Sequence, residues 1–161
     1  MFKLSVICLC GLLLVASQVA TTAFRECPNK AATPEEFSIE GCESSPCSLK
    51  PGSALVAHAF RIKSTVSTNN VQAYVRVQLA PGLEIDYELS AEQQNACAGS
   101  IRDCPLEQGK LFDYTFAEPN LKVPQVTLPI VVVRAGIRDG TTEIACVEFD
   151  AQLVAGAFTV V

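Results

Sequence analysis

The 161-residue chain carries 12 lysines and arginines against 17 aspartates and glutamates, so its formal net charge is −5. A mildly acidic chain with no run of basic residues lacks the electrostatic signature of a nucleic-acid-binding protein, which argues against such a partner. The length is typical of a single domain.

The first 23 residues have the pattern of a secretory signal peptide. Lys3 precedes an almost wholly apolar run over residues 4–15, and small residues stand at Thr21 and Ala23. The apolar run is too short to span a bilayer comfortably. We therefore predict a leader over residues 1–23, with cleavage after Ala20 as the alternative. One domain over residues 24–161 would be secreted, with lysosomal delivery as a second destination.

Six cysteines follow the predicted leader, and an even number in a small secreted chain predicts a disulfide framework. They are Cys27, Cys42, Cys47, Cys97, Cys104 and Cys146. Fifteen pairings are possible, and proximity in sequence favours Cys42–Cys47 and Cys97–Cys104, which leaves Cys27 for Cys146. The single histidine, His58, is too far away in sequence to complete a zinc site with either close pair.

Short segments of alternating polarity separated by turn residues follow one another along the mature chain. We predict strands over residues 37–40, 55–63, 71–79, 83–89, 112–116, 126–133 and 144–153. Residues 90–96 form a polar connector with room for one helical turn. About seven short strands with frequent turns predict an all-β fold, an antiparallel immunoglobulin-like sandwich.

The phase of the alternation predicts which side chains face inward. In the strand over 55–63, Val56, Phe60 and Ile62 share the more apolar face with His58. In the strand over 126–133, the even-numbered apolar residues share one face, and Pro129 indicates an edge strand or a bulge because proline cannot donate to a ladder.

Nothing in the sequence forms a catalytic constellation. There is no Gly-x-Ser-x-Gly motif, the six cysteines are occupied if the disulfides form, and the carboxylates of Glu84, Asp86 and Glu88 lie on one strand face as a solvated row. We predict a protein that is not an enzyme and has no cofactor and no metal site.

The candidate functional feature is inward apolar surface, which either fills a core or lines a lipid cavity. Alternation alone cannot choose between a filled core and a hollow one. The residues are Phe60, Val75, Val77, Leu83, Ile85, Tyr87, Phe112, Tyr114, Val126, Ile130, Val132 and Phe149.

The order of the cysteines and their neighbours resembles the MD-2-related lipid-recognition (ML) family, and its Niemann-Pick C2 branch most closely. The resemblance rests on Cys42-x4-Cys47 with Leu49-Lys50-Pro51-Gly52, on Cys97-x6-Cys104-Pro105-Leu106, on Phe112-Asp113-Tyr114, on Val123-Pro124-x-Val126 and on Cys146-Val147-Glu148-Phe149. It covers residues 27–153 and is strongest with the arthropod members, which include mite group 2 allergens.

The resemblance implies a two-sheet sandwich that holds a sterol or another small lipid between its sheets, and it implies the same three disulfides. It places the cavity mouth near Leu83, Ile85, Tyr87, Val123, Pro124 and Val126, and the following wall at Leu128, Ile130 and Val132. It also implies docking to a membrane or a receptor for ligand transfer.

The chain departs from the family pattern in ways that leave the ligand open. The proline-rich mouth segment is replaced by residues 83–89, and the chain has no tryptophan. Two alternatives therefore remain beside a sterol or lipid carrier: an innate-immune recognition module for bacterial glycolipids, and an immunoglobulin-like interaction domain with a filled core.

Overall fold

The computed structural model describes residues 21–123 and 130–154, and nearly all of its regular structure is β. The strands are β1 Arg25–Glu26, β2 Glu36–Ile39, β3 Cys47–Leu49, β4 Leu55–Lys63, β5 Gln72–Ala80, β6 Leu83–Asp86, β7 Leu111–Glu118, β8 Val131–Asp139 and β9 Thr142–Leu153. A four-residue helix, α1 Ala91–Gln94, and a 3-10 turn, Ala96–Ala98, lie in the predicted connector. None of the helices described is long and apolar enough to cross a bilayer.

The strands form two sheets. The larger sheet has the order β1-β9-β8-β5-β6, with β3 pairing in parallel alongside β9, and the smaller sheet has the order β2-β4-β7. All other pairings are antiparallel. Two hairpins join consecutive strands, β5–β6 at Pro81-Gly82 and β8–β9 at Asp139-Gly140. The predicted β-sandwich is confirmed.

The core lies between the sheets, where apolar residues of both sheets are buried. The smaller sheet contributes Phe37 and Ile39 from β2, while Val77, Val133 and Phe149 come from the larger sheet. Val133 pairs with Val77 on one side and with Phe149 on the other, so three neighbouring strands present one continuous apolar surface.

The three disulfides have the predicted pairing, Cys27–Cys146, Cys42–Cys47 and Cys97–Cys104. Each has a different place in the fold. Cys27–Cys146 ties the chain beside β1 to β9 within the larger sheet. Cys42–Cys47 connects the chain after β2 to β3 and so joins the two sheets along one edge, while Cys97–Cys104 closes the loop that precedes β7.

The inward face of β4 differs from the prediction. Arg61 has a φ of 55°, and the pairing of β4 with β7 shifts between Ala59 and Ile62. A bulge of this kind places two residues against one and changes which face the following residues occupy. Ala59 and Ile62 are therefore both buried, whereas the Phe60 ring stacks on His58 at 5.8 Å on the outer face. The prediction of an inward Phe60 was wrong.

The inward face of β8 is also shifted by one residue. Val131 and Val133 are buried, Val132 is only half-buried, and Ile130 is 53% exposed. The prediction that Ile130 and Val132 face inward was wrong. Within the run 126–133, positions 126–129, with Pro129, lie outside the described residues.

Helix α1 begins with a capping box. The Ser90 hydroxyl accepts from the Gln93 N–H at 3.2 Å, and the Gln93 side chain accepts from the Ser90 N–H at 2.8 Å. These two bonds satisfy backbone donors that a helix start otherwise leaves free. They also fix the Gln93 side chain, whose amide reaches β7 and the site described next.

Candidate functional site

A cavity of about 110 Å³ lies between the two sheets, and its walls are almost entirely carbon. The smaller sheet lines it with Phe37, Ile39, Leu55, Ala57, Ala59, Ile62, Tyr114 and Phe116, and the larger sheet with Val75, Val77, Val131, Val133, Ala135, Ile137, Val147, Phe149 and Leu153. The core is therefore hollow at its centre instead of filled.

Small side chains account for part of this space. Ala57 and Ala59 on β4 face the interior from one sheet, and Ala135 on β8 lines it from the other. Replacing larger residues by alanine at facing positions leaves volume that close packing would otherwise occupy. A row of alanines at inward positions is thus a sequence signal for a hollow core, and the sequence analysis did not use it.

One end of the cavity lies at the protein surface. Leu121, Lys122 and Val123 line this end, and the Lys122 side chain is exposed. The register places it beside the start of β4 and the end of β7, where Leu55 is paired with Glu118. We call this end the mouth.

Glu118 binds two groups around the mouth. Its carboxylate accepts from the Asn120 N–H at 2.9 Å and from the Gln93 amide at 3.1 Å. Burial works against its charged form, but these hydrogen bonds outweigh burial and hold the pKa of the Glu118 carboxyl below its usual range. The Tyr87 hydroxyl accepts from the Lys122 N–H at 2.9 Å.

The structure brings some of the sequence-predicted site residues to the cavity and leaves others away from it. Those in the lining are Val75, Val77, Tyr87, Tyr114, Val123 and Phe149. Those outside it are Phe60, Leu83, Ile85, Phe112, Ile130 and Val132. Pro124, Val126 and Leu128 lie outside the described residues.

The residues away from the cavity have three kinds of environment. Leu83 is 53% exposed on β6, as is Ile130 just before β8. Phe112 is buried in the core but does not reach the cavity, and Ile85 packs partly buried against that core. Phe60 on β4 and Val132 on β8 lie on the outer faces of their sheets, because the inward faces of these two strands differ from the predicted ones.

Three residues that line the cavity, Phe37, Ile39 and Phe116, were not among the predicted site residues. The signal for Phe37 and Ile39 was present, since they alternate with Ser38 in a predicted strand. Phe116 likewise alternates with Tyr114 in the predicted strand over 112–116. Val131 and Val133 gave a weaker signal, because every residue from Ile130 to Val133 is apolar and the predicted strand ended at residue 133.

The outer face of the larger sheet is polar and held by ion pairs. Glu148 on β9 accepts from the Arg134 guanidinium at 2.7 Å and from Arg25 at 3.3 Å, and Arg134 also reaches Glu84 at 3.0 Å. The predicted row of carboxylates on β6 thus faces arginines. Within the described parts of the chain, no three histidine, cysteine, aspartate or glutamate side chains lie close enough to hold a metal ion.

Comparison with known proteins gives a family and a fold. The family model of the ML domain matches residues 21–153. A Niemann-Pick type C2 protein from the Japanese carpenter ant superimposes with a TM-score of 0.68 at 20% sequence identity, over 82% of this chain and 99% of that one. A search of curated proteins gives no match. The chain belongs to the ML-domain family, whose members are lipid-binding proteins.

Proposed function

We propose that this protein is a secreted carrier that holds a sterol or another small lipid between its two sheets and delivers it to a membrane or a receptor. The observation that supports the proposal is the cavity, whose described lining is carbon from both sheets with one charged side chain, Lys122, at the mouth.

The driving force for such binding is removal of apolar surface from water. Burying on the order of 400 Å² of a lipid would contribute roughly 10 kcal/mol before the costs of association, at about 25 cal/mol per Å². An apolar wall gives little directional preference, so the shape of the cavity and the width of the mouth would set which lipids enter.

The cavity must enlarge to hold a sterol. Its volume of about 110 Å³ is well below the ~300–1,000 Å³ of pockets that enclose ligands of drug size. Among residues 21–123 and 130–154, no backbone ladder joins the two sheets. Away from the Cys42–Cys47 edge, side-chain packing and side-chain hydrogen bonds such as those of Glu118 hold the sheets together, and repacking on binding would supply the required volume.

A matched pair of substitutions on β8 tests the proposal. Val133 lines the cavity and its neighbour Val132 does not, so Val133→Trp fills the space while Val132→Trp adds the same side chain to the outer face. We expect Val133→Trp to weaken binding of a fluorescent sterol and a fluorescent fatty acid more than tenfold, with little change for Val132→Trp. Circular dichroism would check that both variants are folded.

Native mass spectrometry of the secreted protein provides the second test. A bound mass that organic solvent releases is expected. Protein that is free of lipid and takes up neither a sterol nor a fatty acid would contradict the carrier function, and selective binding of a bacterial glycolipid would favour immune recognition.

We further propose that secretion involves a leader that is removed after Ala20. Thr22 is 2% exposed; its hydroxyl donates to the Cys42 carbonyl at 3.0 Å and accepts from the Ile39 N–H at 2.8 Å. Cleavage after Ala23 would remove Thr22 and leave these two buried backbone groups without partners. The intact mass of secreted protein should correspond to a chain that begins at Thr21, and one that begins at Phe24 would contradict the proposal.

A further inference from the structure

Tyr114 brings a polar group into an otherwise apolar cavity. It lies on β7, where its backbone pairs with Ala59, and it alternates with Phe112 and Phe116. The residue is half-buried and lines the cavity. Part of the accessible surface of Tyr114 therefore faces the cavity.

The Tyr114 hydroxyl has no hydrogen-bond partner among residues 21–123 and 130–154. Burial is the one cause that raises the pKa of its phenol, with no hydrogen bond and no charge contributing. The hydroxyl is therefore a neutral group that can both donate and accept.

The other two tyrosines have engaged hydroxyls. The Tyr87 hydroxyl at the mouth accepts from the Lys122 N–H at 2.9 Å. Tyr74 packs its ring on the outer side of the larger sheet, against the Cys27–Cys146 disulfide, and donates to Glu143 at 2.9 Å. Tyr114 is thus the tyrosine whose hydroxyl lies among apolar cavity residues with no partner from residues 21–123 and 130–154, and pairing it with a partner would be favourable.

Water is a poor candidate for that partner. A buried water molecule needs two to four polar groups around it, and the described cavity wall near Tyr114 offers carbon on its other sides. The unsatisfied group is better matched by an oxygen atom of a ligand whose remaining surface is apolar.

The position of Tyr114 gives the ligand an orientation. Glu118 at the mouth and Tyr114 lie four residues apart on β7, which corresponds to about 13 Å along a strand. The charged residue of the described lining, Lys122, is at the mouth. An ionised carboxylate at Tyr114 would be buried without a cation, which is strongly unfavourable.

We propose that Tyr114 hydrogen-bonds the oxygen of an uncharged lipid with one polar end, an alcohol or a carbonyl compound, which enters with that end first. This proposal rests on the lipid-carrier function and specifies the class of ligand. A fatty acid would have the opposite orientation, with its carboxylate near Lys122.

A ligand series with a single variant tests the proposal. Affinities of 1-dodecanol, dodecane and dodecanoate would be measured by displacement of an apolar fluorophore, for the unmodified protein and for Tyr114→Phe. We expect Tyr114→Phe to weaken dodecanol binding about tenfold, the effect of losing one buried hydrogen bond, and to leave dodecane and dodecanoate within about twofold.

Dodecane binding by Tyr114→Phe shows that the cavity of the variant is intact. Equal effects of the variant on dodecanol and dodecane, or no effect on either, would overturn the role of Tyr114 while the carrier function stands. A loss for dodecanoate as large as for dodecanol would overturn the restriction to uncharged lipids. Failure of all three ligands to bind the unmodified protein would instead contradict the carrier function itself.

A spectroscopic measurement on the unmodified protein provides an independent readout. With tyrosine labelled by carbon-13 at Cζ, dodecanol should shift the Tyr114 resonance, because Cζ responds to hydrogen bonding at the hydroxyl, and dodecane should shift it less. Equal shifts with the two ligands would contradict the hydrogen bond.

Discussion

Substitution of Glu118 by glutamine should destabilise the protein and change its response to acid. Glu118 is 7% exposed, and its carboxylate accepts from the Asn120 N–H and from the Gln93 amide. Glutamine keeps the shape of the side chain but loses the charge, and its amide group presents a donor where one of the two donors now binds. Hydrogen bonds to a charged group contribute about 1.5–3 kcal/mol each and neutral ones about 1 kcal/mol, so we expect a loss of about 2–3 kcal/mol.

The dependence on pH follows from the direction of the pKa shift. The pKa of Glu118 is lower in the folded protein than its usual range, so the folded state binds fewer protons than the unfolded chain. The stabilisation is therefore present above the unfolded-state pKa of about 4.3 and is lost as the pH falls through the folded-state pKa. The difference between the unmodified protein and Glu118→Gln should be full at pH 7 and should narrow below about pH 4.

Thermal unfolding followed by circular dichroism from pH 3 to pH 7 measures this difference. A loss of 2–3 kcal/mol corresponds to about 5–10 °C in Tm for a domain of this size. Glu88→Gln is the matched control, since Glu88 is exposed one residue from Tyr87. A Tm change at pH 7 no larger than that of the control, or a difference that widens in acid, would refute the assignment of Glu118 as the group that holds the mouth together.

Two further substitutions test other parts of the fold by the same unfolding measurement. Gly136→Ala places a Cβ 2.5 Å from the Ala145 carbonyl oxygen, a backbone atom. We therefore expect the free energy of unfolding to fall by at least about 2 kcal/mol, and an unchanged value would show that the two strands lie farther apart. Glu148→Ala leaves Arg134 without its closest partner and should lower the free energy of unfolding by about 2–3 kcal/mol. Asp86→Ala, at an exposed ion pair, should lower it by less than about 0.5 kcal/mol. Equal losses would contradict the importance of burial.

Local patterns in the sequence predicted the strands well because alternation and turn residues are local properties. The bounds of β4 were predicted to the residue. The disulfide pairing also followed from proximity in the chain, together with the family resemblance.

Local patterns did not predict which faces of β4 and β8 point inward. This is why several predicted site residues lie outside the cavity. A left-handed Arg61 in the middle of β4 is no property of arginine, since it arises where β4 and β7 fit together. Val131, Val132 and Val133 are all apolar, so these three residues alone do not show which face points inward. β8 continues to Asp139, beyond the predicted strand, and Arg134 marks the outer face on which Val132 also lies. Non-local pairing of Val133 with Val77 and Phe149 fixes the same facing.

The Cys42–Cys47 disulfide makes the two long sides of the sandwich mechanically unequal. On that side a covalent bond limits how far the sheets can separate, whereas on the opposite side Glu118 is held by hydrogen bonds from Gln93 and Asn120. Ligands of different size should therefore displace the sheets only on the side that has no disulfide. Amide exchange in residues 87–94 and 118–122 should vary from one guest to another, while the backbone around the disulfide keeps one exchange rate throughout.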